Sequence, residues 1–189
     1  MTPSVETLYD KYYPAGSDAR RILLRHSASV AALALAINEA MGSPLGAAEV
    51  RYAAMLHDIG IFMTDADGIG CHGRESYLRH GVLGADLLRA EGAPEWAARV
   101  AERHTGAGIT ADDIARMGLP LPADRILMPQ TPLEQLVCYA DKFYSKSGDM
   151  QRKSLERVRA SMMRHSAQTL ERFEALHDKY GSFLPDSES

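Results

Sequence analysis

Six scattered residues, His26, the adjacent pair His57-Asp58, His80, His104 and Asp141, are of the types that hold transition metals. Imidazole and carboxylate together suit a divalent ion that keeps positions open for water or substrate. Four histidines and two aspartates are enough for two such ions, which reads as a catalytic dinuclear site. Asp141 follows Val-Cys-Tyr-Ala on an apolar face, where an unpaired carboxylate is costly to bury. Metal ligation removes that cost. A salt bridge to Lys142 fits poorly, because adjacent helical residues diverge.

These residues must be brought together by helices, since the hydrophobic pattern is helical nearly throughout. Asp18 is a candidate N-cap for a first helix, Ala19 to Met41, whose apolar positions Ile22, Val30, Leu33 and Ile37 recur at helical spacing. A second helix runs from about Leu45 to His57, with Gly60 as its stop. Phe62 to Ser76 has turn chemistry and reads as a loop beside the His-Asp pair. A third helix spans roughly Ser76 to Glu91. A fourth begins near Pro94, a good first-turn residue, and ends near His104. Ala111 to Gly118 is a short helical piece, and the four prolines between Leu119 and Pro132 exclude a long helix there. The fifth core helix covers about Leu133 to Lys146, broken by Gly148. Met150 to Tyr180 reads as one long or two shorter amphipathic helices, with a stripe of Leu155, Val158, Met162, Leu170, Phe173 and Leu176. That stripe most simply covers the core, with a homodimer interface as the alternative. The expectation is an all-α domain of residues 1–189: a core of 18–147, a C-terminal extension of 149–181 and a disordered tail of 182–189.

In chain order the six residues read H…HD…H…H…D. His26 sits in LLRHSASVAALA, His57 and Asp58 in AAMLHDIG, His80 in YLRHGVLGADLL, His104 in VAERHTGAG and Asp141 in LEQLVCYADKFYSK. This ordered set resembles the HD superfamily of metal-dependent phosphohydrolases, in its dinuclear subset. The stretch from Glu102 to Lys146 also resembles a recurring pattern in uncharacterised HD-domain hydrolases of bacteria and archaea. The resemblance implies a single compact helical bundle. It also implies one metal on His26, His57, Asp58 and Asp141, a second on His80 and His104 with Asp58 bridging, and a bridging water or hydroxide as nucleophile. Such a pair polarises a phosphoryl oxygen and lowers the pKa of the water between. The metals it implies are Fe, Mn or Zn, with Fe or Mn favoured. The implied activity is cleavage of a phosphomonoester or phosphoanhydride of a small molecule, a nucleotide above all. The superfamily also contains di-iron oxygenases, and a nucleotide-binding sensor domain is a third reading.

Anionic substrates need further cations. Lys142 and Lys146 lie four apart on one helix face and are the favoured phosphate contacts. Arg74 in the loop is free to swing inward, and Thr105 can offer a hydroxyl. His72 and Lys142 are positional candidates for a general acid. Arg25, Arg79 and Arg103 each precede a candidate ligand, so they point away and read as structural. His165 and His177 read as surface residues.

The 189 residues suit one domain, burying roughly 70% of the extended chain's surface. A net charge of −4 argues against general nucleic-acid binding, though not against a phosphorylated substrate beside two cations. Cys71 and Cys138 are too few for a disulfide framework and read as reduced thiols. No basic-then-apolar leader and no membrane-length apolar run occurs, so a cytoplasmic protein without membrane contact is expected.

Overall fold

The computed structural model describes residues 2–186. Nine α-helices are present among them: α1 (Val5–Tyr12), α2 (Asp18–Ala40), α3 (Ala47–Leu56), α4 (His80–Ala90), α5 (Glu95–Arg103), α6 (Ala111–Met117), α7 (Pro132–Asp141), α8 (Leu155–His165) and α9 (Ala167–Tyr180). The expected all-α class holds. The one small sheet is a two-residue antiparallel pairing of Asp65–Ala66 with Cys71–His72, inside the segment read as loop.

Boundaries differ from the sequence reading for local reasons. The N-cap of α2 is Ser17, not Asp18: its hydroxyl accepts from the Arg20 amide at 3.2 Å. The helix α1, not foreseen, is capped by Ser4 and buries Leu8 and Tyr9. The α3 helix stops at Leu56, and the chain tightens into a 3-10 turn over Ile59–Met63. The break falls on the His-Asp pair. The expected fifth core helix ends at Asp141, not Lys146. The amides of Lys142, Phe143 and Tyr144 there bond three residues back, to the carbonyls of Tyr139, Ala140 and Asp141. Residues 182–184, assigned to the tail, instead pack down: Gly181–Phe183 forms a 3-10 turn, and Phe183 and Leu184 lie against the core. Residues 187–189 of that tail lie outside the described residues.

Two large apolar clusters build most of the interior, with a third, small one around Val82, Ile114 and Leu127. One joins the second half of α2 (Val30 to Ile37) to α3, α7, α8 and α9. The other joins the start of α2 (Ala19, Leu23) to α1, the Ile59–Met63 turn, α4 and α5. His26 lies on α2 between these two stretches. The C-terminal stripe covers its own core, with Val158, Met162, Phe173 and Leu176 buried in the first cluster and Leu155 and Leu170 packed on it.

Close approach fixes α4. A Cβ on Gly60 would sit 2.4 Å from the Gly84 nitrogen and 2.4 Å from the His80 carbonyl oxygen. So Gly60 is required where α4 crosses the 3-10 turn, not as a helix stop. On the other side, a Cβ on Gly81 would lie 2.6 Å from the Ala101 carbonyl of α5. These contacts carry His80 against the His-Asp pair.

Candidate metal centre

The six predicted residues converge. His26, His57, Asp58 and Asp141 form one group, and Asp58, His80 and His104 a second; within each, the candidate ligand atoms all lie within 4.8 Å of one another. All six side chains are buried. Asp58 joins the groups through its two oxygens. Its Oδ2 lies 3.2 Å from His26 Nε2 and 3.1 Å from His57 Nε2, while Oδ1 lies 3.4 Å from both His80 Nε2 and His104 Nε2. Asp141 Oδ1 closes the first group, 3.0 Å from His26 Nε2 and 3.4 Å from His57 Nε2.

Three imidazoles are oriented by the same device. His57, His80 and His104 each place Nδ1 against the carbonyl three residues back, Ala54 at 2.6 Å, Tyr77 at 2.7 Å and Ala101 at 2.8 Å. A carbonyl only accepts, so Nδ1 carries a proton in each ring, and in the neutral ring Nε2 turns its lone pair to the cluster. The backbone hydrogen bond therefore selects the ligating tautomer. His80 Nε2 and His104 Nε2 stand 3.0 Å apart, and two such lone pairs have no proton to share. Burial pushes His80 down to about 3, with His104 adding to the shift, and burial also lowers His104. Both rings are thus neutral near pH 7, as ligands must be.

The carboxylates are held ionised. Burial would raise Asp58, but His57 and Lys146 outweigh it and hold the group well below the usual carboxylate range. For Asp141, burial is outweighed by Lys142 and His26. Burial also opposes His57, yet Asp58 and Asp141 lift it to about 9. Both Asp58 oxygens are fully buried without a hydrogen-bond donor of good geometry. Divalent cations fit this set: carboxylate oxygens and imidazole Nε2 atoms converge on one buried point, and the Asp58 oxygens still lack a well-placed donor.

The remaining predicted residues divide. Lys142 Nζ lies 2.7 Å from Asp141 Oδ2 and donates to the His104 carbonyl at 2.9 Å, so the neighbouring salt bridge judged unfavourable from sequence does form. The helix ends at Asp141, and the long lysine stem curls back. Lys146 Nζ reaches Asp58 Oδ2 at 2.7 Å from the chain beyond the helix, not from a shared helix face. Thr105 lines the adjoining cavity. His72 does not approach it: the ring is exposed on the hairpin and paired with Asp67 Oδ1 at 2.6 Å. Arg74 is likewise exposed and outside the cavity wall. Both follow the hairpin outward because Gly73 is pinned against Met63 and Thr64, its amide bonded to the Thr64 carbonyl.

Arg103 has the structural role expected of it, donating to Glu134 Oε2 at 3.0 Å. Of the C-terminal histidines, His177 is half-buried against the Tyr139 hydroxyl at 2.7 Å, and His165 sits on the cavity wall. The cavity measures about 660 Å³ and opens onto His80, His104 and Asp141. Its walls include Tyr77, Leu78, Ile109, Met117 and Leu119, and from the C-terminal region Lys153, Met162 and Arg172. Sequence reasoning missed these last residues, because nothing in a chain pattern says which side of α8 and α9 meets a cavity. No helix of the described residues is long and apolar enough to cross a membrane.

Comparison with known proteins places this arrangement. A protein of Methanocaldococcus jannaschii described as uncharacterized is 42% identical over 109 residues, 58% of this chain and 56% of that one. The tRNA (cytidine(56)-2'-O)-methyltransferase of Thermoplasma volcanium is 33% identical over 145 residues, 77% of this chain but 38% of that protein. The chain therefore spans about half, or less, of the length of these curated relatives. The HD domain of the L. monocytogenes phosphodiesterase PgpH shares the fold, with a TM-score of 0.55 at 15% identity over 94% of this chain and 97% of that one. The same domain has been solved in complex with cyclic-di-AMP. The model of the family described as HD domain matches residues 23–145, a span containing all six cluster residues. The chain belongs to the HD domain family.

Proposed function

We propose that the protein is a metal-dependent phosphohydrolase that cleaves a phosphomonoester or phosphoanhydride of a small molecule, with a nucleotide as the favoured substrate. The observation that carries this reading is Asp58, one carboxylate whose two oxygens face two separate sets of imidazole nitrogens. His26, His57, Asp58 and Asp141 would hold one divalent cation, and His80 and His104 with the shared Asp58 a second. Bound there, such ions supply Lewis acidity toward a phosphoryl oxygen and lower the pKa of an attacking water.

The chain's own residues do the rest. The Nδ1 bonds of His57, His80 and His104 keep the ligand nitrogens aimed before anything binds. Burial of Lys142 opposes its charge, but Asp141 raises it above the usual lysine range. It therefore stands as a cation that stabilises negative charge beside the cluster. Thr105 lines the cavity. Tyr77, stacked on His80 with ring centroids 4.8 Å apart, presents an apolar face at the mouth, suited to a base or another flat group. PgpH, solved in complex with cyclic-di-AMP, shares this fold, so that phosphodiester is tested beside the monoesters and anhydrides. The methyl transfer named for the archaeal relative is a property of a protein of which this chain matches 38%, and it is not carried over.

The test is phosphate release from nucleotides and sugar phosphates, and from cyclic dinucleotides after a phosphatase chase of the linear product, run anaerobically with Mn²⁺ or Fe²⁺. Asp58→Ala is expected to abolish turnover while keeping the helical circular dichroism. Turnover retained in the metal-depleted Asp58 variant would sink the mechanism. Silence across the panel with metal bound would overturn the hydrolase reading in favour of O₂ chemistry or ligand sensing.

A further inference from the structure

The cavity beside the metal cluster is lined by four cationic side chains, Lys142, Lys146, Lys153 and Arg172, in a chain of net charge −4. Three of them already have a carboxylate. Lys142 is on Asp141 at 2.7 Å, Lys146 on Asp58 at 2.7 Å and Arg172 on Asp113 Oδ2 at 2.8 Å. Lys153 has no acidic partner within salt-bridge distance among the described residues. Its Nζ donates to the Lys142 carbonyl at 3.0 Å, and its backbone amide donates to the Phe143 carbonyl at 2.8 Å. The residue is thereby anchored one position from Asp141. An ammonium has three donors, so the single bond leaves two, and the group stands half-buried on the cavity wall.

We propose that Lys153 is the residue that grips the substrate's phosphate, and that the segment before α8 supplies this contact to the family's metal centre from outside it. The inference rests on the phosphohydrolase reading and deepens it. Lys153 lies beyond the residues matched by the HD domain, which end at 145. The contact thus belongs to the C-terminal extension of this chain. Lys142 and Lys146, the cations favoured from sequence, each lie against a cluster carboxylate, whereas Lys153 faces none. A cation that is already neutralised attracts an added anion less than one that is not. Ser147 lines the same cavity and adds a neutral hydroxyl to its wall.

A purely structural alternative has Lys153 as nothing more than a cap on the carbonyls at the end of α7. The two roles separate experimentally. Inorganic phosphate is titrated calorimetrically into the Mn²⁺-loaded full chain, wild type, Lys153→Met and Lys153→Arg. The Mn²⁺ content and the unfolding midpoint are measured on the same samples. Methionine keeps the apolar stem and loses the charge; arginine keeps the charge. The expected result is phosphate binding weakened about 10- to 100-fold in Lys153→Met, the range for a hydrogen bond to a charged group. Binding should be largely restored in Lys153→Arg, with Mn²⁺ content unchanged in both. Equal phosphate affinity in wild type and Lys153→Met, or no phosphate binding by the wild type, would overturn the assignment. A lower midpoint with unchanged affinity would reduce Lys153 to a cap. Turnover by the wild-type enzyme is a separate readout. If Asp58-dependent turnover is seen while Lys153→Met binds phosphate normally, only the lysine assignment fails.

Discussion

Replacing Glu134 by alanine should cost this protein a large fraction of its stability, although Glu134 touches neither cluster nor cavity. Glu134 lies at the start of α7 and is 2% exposed, and its partner Arg103 at the end of α5 is 8% exposed. Its Oε2 accepts from Arg103 Nη1 at 3.0 Å and from the Gln130 amide at 2.7 Å, and it completes a capping box with Thr131. Arg103 also donates from Nε to the Ile126 carbonyl at 3.1 Å. Truncating one side of such a buried pair leaves the other charge uncompensated, at a cost of about 3–5 kcal/mol. Folding stabilities are only about 5–15 kcal/mol in all. At roughly 2–4 °C per kcal/mol for a chain of this length, the melting temperature should fall by about 6–20 °C. The double variant Arg103→Leu/Glu134→Leu leaves no orphaned charge, and the one acceptor it frees belongs to Ile126, a residue 51% exposed. It should therefore be far more stable than the sum of the two single changes predicts. Urea unfolding of the two single variants and the double variant gives the coupling energy directly. A loss below about 1 kcal/mol for Glu134→Ala, or simple additivity in the double variant, would refute the argument that this pair ties α5 to α7. The same tie positions two candidate ligands. His104 follows Arg103 directly, and Asp141 lies two helical turns beyond Glu134.

Two further expectations test how the cluster is assembled and charged. Gly60→Ala places a methyl 2.4 Å from backbone atoms of both His80 and Gly84, so α4 must shift; the variant should lose about 1–3 kcal/mol in urea unfolding and bind Mn²⁺ more weakly as His80 moves off. An alanine variant with wild-type midpoint and loading would contradict the close-approach explanation. The second concerns pH. His57 is lifted from 6.5 to about 9 by Asp58 and Asp141 against the opposing effect of burial. In the ion-free protein that proton's stabilisation is therefore complete below pH 6.5 and lost as pH rises through about 9. A metal needs the Nε2 lone pair and must displace the proton. Mn²⁺ affinity should then rise with pH, approaching about tenfold per unit between pH 7 and 9. Calorimetry showing a flat affinity across that window would exclude the linkage.

Much of the centre is legible in the chain because its chemistry is local in type. Histidines and aspartates in apolar helical surroundings need partners wherever they end up, and their order along the chain carries the family pattern. The helical class is legible for a similar reason: periodicity, caps and breakers act within a few residues. Thus the ends of α5 at Pro94 and His104, and the structural role of Arg103, follow from neighbours in sequence. Other features depend on contacts between distant segments. Gly60 has the composition of a helix stop, and only the crossing of α4 shows that it makes room for a backbone. Lys142 and Asp141 diverge on an ideal helix and meet because the helix ends between them. His72 and Arg74 sit in a loop next to the His-Asp pair, yet the hairpin turns both outward. Lys153 carries no sequence signal at all: a lysine in a charged, interleaved segment is unremarkable until packing places it against the carbonyl of Lys142. What the sequence by itself determined is which groups are present and which helices they ride on, because propensity and ligand chemistry are short-range. Which charges are neutralised, and which one is left facing the cavity, was decided by the tertiary structure, because pairing depends on through-space distances that chain order does not encode.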